Sequence, residues 1–278
     1  MKRLHIWRSR LFLVGMSISI ILVITSVFSP FLAPYTSTEF SQYQLAPPNK
    51  TFCFGTDEYG RDLFSRILRG GLITLSLSFV TVFFSGFLGI SWGLLAAYTK
   101  GVAHIITTRA IDFLISFPAI IIALFVLSIS GASGTIPLII ALSIAFCPRF
   151  ARVIHGATLP ILKEEYILAA KAIGCGDLRI LTVHILPNLL GPITVLFSIY
   201  LPYVIILESS LSFLGLGAPP DVPTWGRIIS DGKVYMTDAP WLTIFPGIAI
   251  IITALGFNLL GDGLRDLLDP RSATRLYK

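Results

Sequence analysis

The chain has 278 residues, of which 54% are apolar and only 13% charged, with a mean hydropathy of +0.82. Soluble globular domains carry about 25% charged residues, so the composition excludes that class and points to a membrane protein. The formal charge of +6 is spread along the chain rather than gathered on one polar face, which argues against a nucleic-acid partner.

Six apolar runs, at residues 11–32, 72–98, 111–130, 136–150, 189–207 and 241–260, predict an all-α integral membrane protein with six transmembrane helices. The first run is too long for the apolar region of a signal peptide, and Pro34 follows where small residues would mark cleavage. It reads as a retained helix. Residues 33–56 hold Pro34, Pro47 and Pro48 and read as an ordered outer loop. Residues 62–68 then predict a short outer interfacial helix. Its charges Arg61, Asp62 and Arg66 either fix the loop against the membrane or meet an extracytoplasmic partner. The fourth run is short and borders Pro148 and Arg149, which leaves its ends open by several residues. Residues 215–240 are rich in glycine and proline and carry Trp225 and Tyr235, residue types suited to the membrane interface. The expected organisation is a tail and first helix (1–33), an outer loop (34–71), a five-helix core (72–262) and a C-terminal tail (263–278).

Lysine and arginine set the orientation. With the N-terminus inside, fifteen of them fall in inner segments and six in outer ones, which favours both termini in the cytoplasm. The polar island between the fourth and fifth runs then faces the cytoplasm. Lys163, Glu164 and Glu165 open a helix there, with the acids near its N-terminus. Ala169, Ala170 and Ala172 add helix propensity with little bulk, so another surface could come close to the backbone. Gly174 and Gly176 stop the helix. Asp177 reads as the N-cap of a second helix with Leu178, Leu181 and Ile185 at helical spacing, and Pro187 ends it or begins the next. Local pattern alone leaves two readings open: a docking element for a soluble partner, or an ordinary loop helix lying on the membrane.

The island resembles the EAA loop of permease subunits of binding-protein-dependent ABC importers. Ala169, Ala170, Gly174, Leu186 and Pro187 match its pattern, while Leu168 stands in place of Glu and His184 in place of Ile. The charge of Glu165, one turn before Leu168, could substitute for the missing acid. The run Ala-Ala-Lys-Ala-Ile-Gly and the later His-Ile-Leu-Pro-Asn188 are similar to the peptide and nickel permease branch. Three further blocks agree: residues 55–66, residues 211–217 with Trp225-Gly226, and residues 257–266. The closest likeness is to the second, shorter permease of dipeptide and oligopeptide importers. It implies a type-1 (MetI-like) permease core with a cytoplasmic coupling helix, working by alternating access. It also implies four partner proteins: a homologous second permease, two cytoplasmic ATPases and an extracytoplasmic solute-binding protein. The implied cargo is a di- or oligopeptide, with nickel or a metal chelate as the alternative.

Other candidate sites are sparse. Residues 55–62 have the G-x4-G spacing of a phosphate-binding loop, but Arg61 and Asp62 replace its Lys and Ser/Thr, so no nucleotide chemistry is expected. Glu208, at the outer end of the fifth run, is a candidate for the translocation path or an interface anchor. Asp112 and Asp262 lie near the inner boundary. His5, His104, His155 and His184 lack metal-pair spacing, and Cys53, Cys147 and Cys175 form no metal or redox motif. No cofactor, metal site or catalytic residue is expected. A proton-driven secondary transporter would need inverted repeats or midplane ionisable groups, and an intramembrane hydrolase a catalytic motif; neither is visible.

Overall fold

The computed structural model describes residues 10–131 and 134–268, where regular structure is helical apart from one isolated bridge between Thr56 and Asp62. The expected N-terminal charges at residues 1–9 and the tail beyond residue 268 lie outside the described residues. The first apolar run folds as α1 (Arg10–Val27) and a short turn, α2 (Ser29–Leu32). The break comes at Phe28, and Pro30 sits in the first turn of α2, where its missing N–H is of no consequence.

The second run belongs to α3 (Leu63–Tyr98), a helix of 36 residues. At 1.5 Å per residue it is about 54 Å long, well beyond a hydrocarbon layer of about 30 Å. Its N-cap is Asp62, whose carboxylate accepts from the Ser65 backbone N–H at 2.8 Å and from the Ser65 hydroxyl at 2.6 Å. The separate outer helix expected at 62–68 is therefore the beginning of α3, and the expected boundary at 71/72 falls inside one continuous rod.

The third run does not form one straight helix. It divides into α4 (Gly101–Ile115) and α5 (Ala119–Ser130), bent by 97°. Pro118 explains the break, because it lacks an N–H and pushes Phe117 away from helical geometry. The fourth run is longer than expected: α6 (Thr135–Ile161) passes through both Pro148 and Pro160. Pro148 is buried, and inside a bundle neighbouring groups can satisfy a freed carbonyl. Beside the carbonyl that Pro148 leaves open, Arg149 Nη1 donates to the Ala145 carbonyl at 2.8 Å. Arg149, Arg152 and His155 consequently sit within the helix, not in a loop after it.

After α6 come α7 (Glu165–Ala172), α8 (Asp177–Arg179), a π-helical stretch at Ile180–Ile185 and a 3-10 turn at Leu186–Leu189. These lead into α9 (Leu190–Phe213), then α10 (Trp225–Gly232) and α11 (Trp241–Leu268). Among the described residues four helical segments are long and apolar enough to cross a membrane: α3, α6, Asp177–Phe213 and α11. The bent α4–α5 pair makes a fifth when taken as one span, and α1 is shorter.

The centre of the molecule is the packing of α3 on α6. Gly89 and Gly93 make it possible. A Cβ on Gly89 would lie 2.4 Å from Phe150 Cβ, and one on Gly93 would lie 2.5 Å from the Ala151 carbonyl oxygen. Two glycines four apart thus let the backbones touch, as small residues do in membrane bundles. Around this contact Leu138, Leu142, Phe150, Ile154 and Ile205 are fully buried. A second, smaller core of Leu63, Ile67, Trp225, Ile228, Ala239 and Leu242 lies under the outer segments. There the Trp225 indole donates to the Ile67 carbonyl at 2.9 Å, pinning α10 to α3.

Candidate functional site

The connection from α6 to α9 begins with the short, glycine-stopped helix expected from the sequence. Glu164 is the N-cap of α7, Glu165 lies in the first turn and Lys171 in the last, so both charges complement the helix dipole. Ile167 and Ala170 face inward and are buried. Glu165, Leu168 and Ala169 face outward together, with Leu168 54% exposed. The helix ends as predicted. Gly174 adopts φ +81°, its N–H bonds to the Lys171 carbonyl, and the Cys175 N–H bonds to the Ala170 carbonyl, each at 3.0 Å. That pair of bonds is a Schellman stop, which needs a left-handed residue at the position of Gly174.

Asp177 does not have the capping role expected from its sequence context. Gly176 is the N-cap of α8, and Asp177 is the first residue of the helix. Its carboxylate instead accepts a hydrogen bond from the Tyr98 hydroxyl at 2.5 Å, while Lys171 Nζ sits 5.1 Å above the Tyr98 ring. The C-terminal end of α3 is thereby tied to both halves of the island. The expected α-helical spacing of Leu178, Leu181 and Ile185 also fails. The backbone widens to π geometry, so that Ile180 and Ile185, five apart, are both fully buried and Leu178 is 75% exposed. Leu186 is half-buried and Pro187 exposed; Pro187 lies in the 3-10 turn that begins the next span rather than closing the last. Asn188 donates to the His184 carbonyl at 2.7 Å and to the Tyr166 hydroxyl at 3.2 Å, closing the unit. Its outer surface offers Leu168, Ile173 (81% exposed) and Leu178.

On the opposite face the charged residues are buried rather than displayed. Asp57 is 1% exposed and accepts from Arg61 Nε at 2.6 Å, from the Tyr59 and Arg61 backbone N–H groups at 2.9 Å, and from Arg66 Nη1. Arg66 is 2% exposed and also faces Asp231 at 3.8 Å, which pairs with Arg227 at 2.9 Å. Burial raises the carboxyl pKa of both Glu58 and Asp231 against the opposing pull of these arginines. With Asp62 occupied as the α3 cap and 3% exposed, the three expected docking charges Arg61, Asp62 and Arg66 knit the outer loop together. Asp62 and Arg66 are buried, and the Arg61 side chain is 13% exposed.

Glu208 is fully buried in the last turns of α9. It accepts from the Ser212 hydroxyl at 2.7 Å and from the Ser209 hydroxyl at 3.3 Å, and the Thr224 side chain lies beside it. Thr224 is itself the N-cap of α10, accepting from the Arg227 N–H at 3.2 Å. Sequence reasoning passed over a different residue, Arg149. The Pro148-Arg149 pair looked like the end of a span, and only the continuation of α6 puts that cation inside it.

Comparison with known proteins agrees with this architecture. Residues 89–274 match the model of the binding-protein-dependent transport system inner membrane component, and residues 4–48 match the N-terminal TM domain of oligopeptide transport permease C. A putative peptide transport system permease protein of Brucella suis biovar 1 (strain 1330) is 40% identical over 272 residues, 96% of this chain and 90% of that protein. The glutathione transport system permease protein GsiD of Pectobacterium atrosepticum is 41% identical, covering 91% of this chain and 84% of its own length. The dipeptide transport system permease protein DppC of Alkalihalophilus pseudofirmus is 37% identical, covering 95% and 87%. An inward-facing structure of the MetNI methionine ABC transporter superposes on 74% of this chain and 98% of the matched chain, with a TM-score of 0.59 at 20% identity, a likeness of fold. The helical membrane core, the glycine-stopped island and the family match over 89–274 converge: the chain belongs to the inner membrane components of binding-protein-dependent transport systems.

Proposed function

We propose that the chain is one of two homologous permease subunits of an ATP-driven importer that moves small peptides into the cytoplasm by alternating access. In this reading both termini are cytoplasmic, two ATPase subunits sit below the pair, and a solute-binding protein delivers cargo from outside. The peptide cargo is inferred from the names of relatives that carry peptides, dipeptides and glutathione. The supporting observation is the α7 unit: a short helix with an outward face of Glu165, Leu168 and Ala169, stopped at Gly174 and bonded through Asp177 to the end of α3. An ATPase grips that face, and its closure moves α7, α3 and the π-helical stretch together. Leu186 and Pro187 pass the motion into α9. Glu208 holds the N-cap of α10 on α9, and so serves the outer lid rather than the walls of the passage.

The decisive variant is Gly174→Leu. There is open space around the glycine, so a side chain meets no neighbour, but φ +81° is strained for leucine. The Schellman stop should shift while the spans still insert. In proteoliposomes holding the whole importer, ATP hydrolysis should persist and peptide uptake should fall. Normal uptake by that variant would remove the coupling role.

A further inference from the structure

Arg149 lies near the middle of α6, about 21 Å along the axis from Thr135 and about 18 Å from Ile161 at 1.5 Å per residue. A cation within a spanning helix is expensive unless it is paired or faces a water-filled cavity. Its guanidinium bonds only partly within the chain, to the Ala145 carbonyl and against the Phe146 ring at 5.6 Å. Among the described residues no carboxylate pairs with it, whereas Arg152, one turn on, is bound to Asp112 at 2.9 Å. Both arginines line a cavity of about 710 Å³, within the size range of small-molecule sites and large enough for a short peptide. The bend between α4 and α5 forms one wall, with Pro118 and Ala119, and Tyr200 and Tyr203 of α9 form the other. No acidic residue lines it. The wall at the bend is electropositive as well: α5 starts there, and Pro118 gives its first amides no side-chain cap.

We infer that this cavity receives the carboxylate of the cargo in transit, with Arg149 and the first turn of α5 as donors and Tyr200 and Tyr203 as an aromatic wall for the rest of the peptide. Two positive features converge on one recess in which, among the described residues, Arg152 has the carboxylate of Asp112 and Arg149 has none, so the anion for Arg149 comes from outside the chain. A planar guanidinium suits a carboxylate. The inference rests on the peptide-import reading above. It adds that the permease itself, and not the delivery protein alone, reads the carboxylate.

The test uses the complete importer in proteoliposomes, with the delivery protein saturated either by a dipeptide or by the same dipeptide carrying a C-terminal amide. The readout is the ratio of acid to amide uptake, in which the delivery protein's own preference cancels between variants. Arg149→Gln should lower that ratio about tenfold or more, as expected for loss of a hydrogen bond to a charged group, and Arg149→Lys should restore part of it. An unchanged ratio, with both uptakes normal or both reduced together, would overturn the inference. The second pattern would mean that Arg149 holds the structure or pairs with an acid of the neighbouring permease. A wild-type complex that imports neither peptide would refute the cargo reading, and this inference with it.

Discussion

Asp57 shows how much one buried group can organise. It faces two arginines and two backbone N–H groups at 1% exposure, so its charge is matched on every side. Asp57→Asn leaves Arg61 and Arg66 without that partner, and breaking a buried pair from one side costs roughly 3–5 kcal/mol. A clear fall in the melting temperature of the purified protein in detergent is expected; an unchanged one would mean water already reaches the network. Asp112→Asn is the contrast. Its bridge to Arg152 joins side chains that are 40% and 53% exposed, and such pairs contribute at most about 1 kcal/mol. The same melting experiment should barely register it. Tyr98→Phe belongs with the second kind for stability, because Asp177 is exposed. Its effect is expected in coupling: peptide taken up per ATP hydrolysed should drop while the melting temperature holds. None of the burial at Asp57 could be read from the sequence, where an arginine in an outer loop looks the same whether it faces water or an aspartate.

At the scale of elements, the sequence was informative where a local rule acts alone. The stop at Gly174 followed from glycine chemistry, and the acids at the start of α7 from the helix dipole. Proline was the ambiguous signal. Pro118 breaks the third run into two helices at 97°, while Pro148 and Pro160 are absorbed within α6. The difference is tertiary: Pro148 is buried in the bundle, where neighbouring groups can compensate for a lost bond, and no local pattern contains them. The π stretch was hidden for a similar reason. Ile180 and Ile185 reach the core only if the turn widens, a demand set by the surrounding helices. The α3–α6 contact gives the sharpest expectation at this scale. Gly89→Ala places a methyl where Phe150 Cβ already stands, and overpacking of this kind costs about 1–3 kcal/mol. Gly89→Leu should prevent the two helices from docking, read as loss of folded protein on size exclusion. A monodisperse Gly89→Leu protein would show that the contact can open.

For the whole molecule, the fold class was legible because the bilayer imposes coarse rules: apolar runs of fixed length, and positive charge on one side. Orientation is the expectation to test. In a variant with Cys53, Cys147 and Cys175 replaced by serine, Ile173→Cys should react with an impermeant thiol reagent in inverted vesicles and not in intact cells, while Lys50→Cys should do the reverse. The opposite pattern would turn the chain over and place α7 outside, away from any ATPase. The cavity beside Arg149 was not legible. It exists because a bent pair of helices and two others leave a recess, and none of those segments records it alone.

The length of α3 has a mechanical corollary. Arg66 near one end and Tyr98 at the other are about 48 Å apart along a helix without an internal proline. Such a helix is unbroken from end to end. In the coupling proposed above, a stroke delivered at Asp177 would reach Arg66 as tilt, so that the two ends of the helix would keep time with one another.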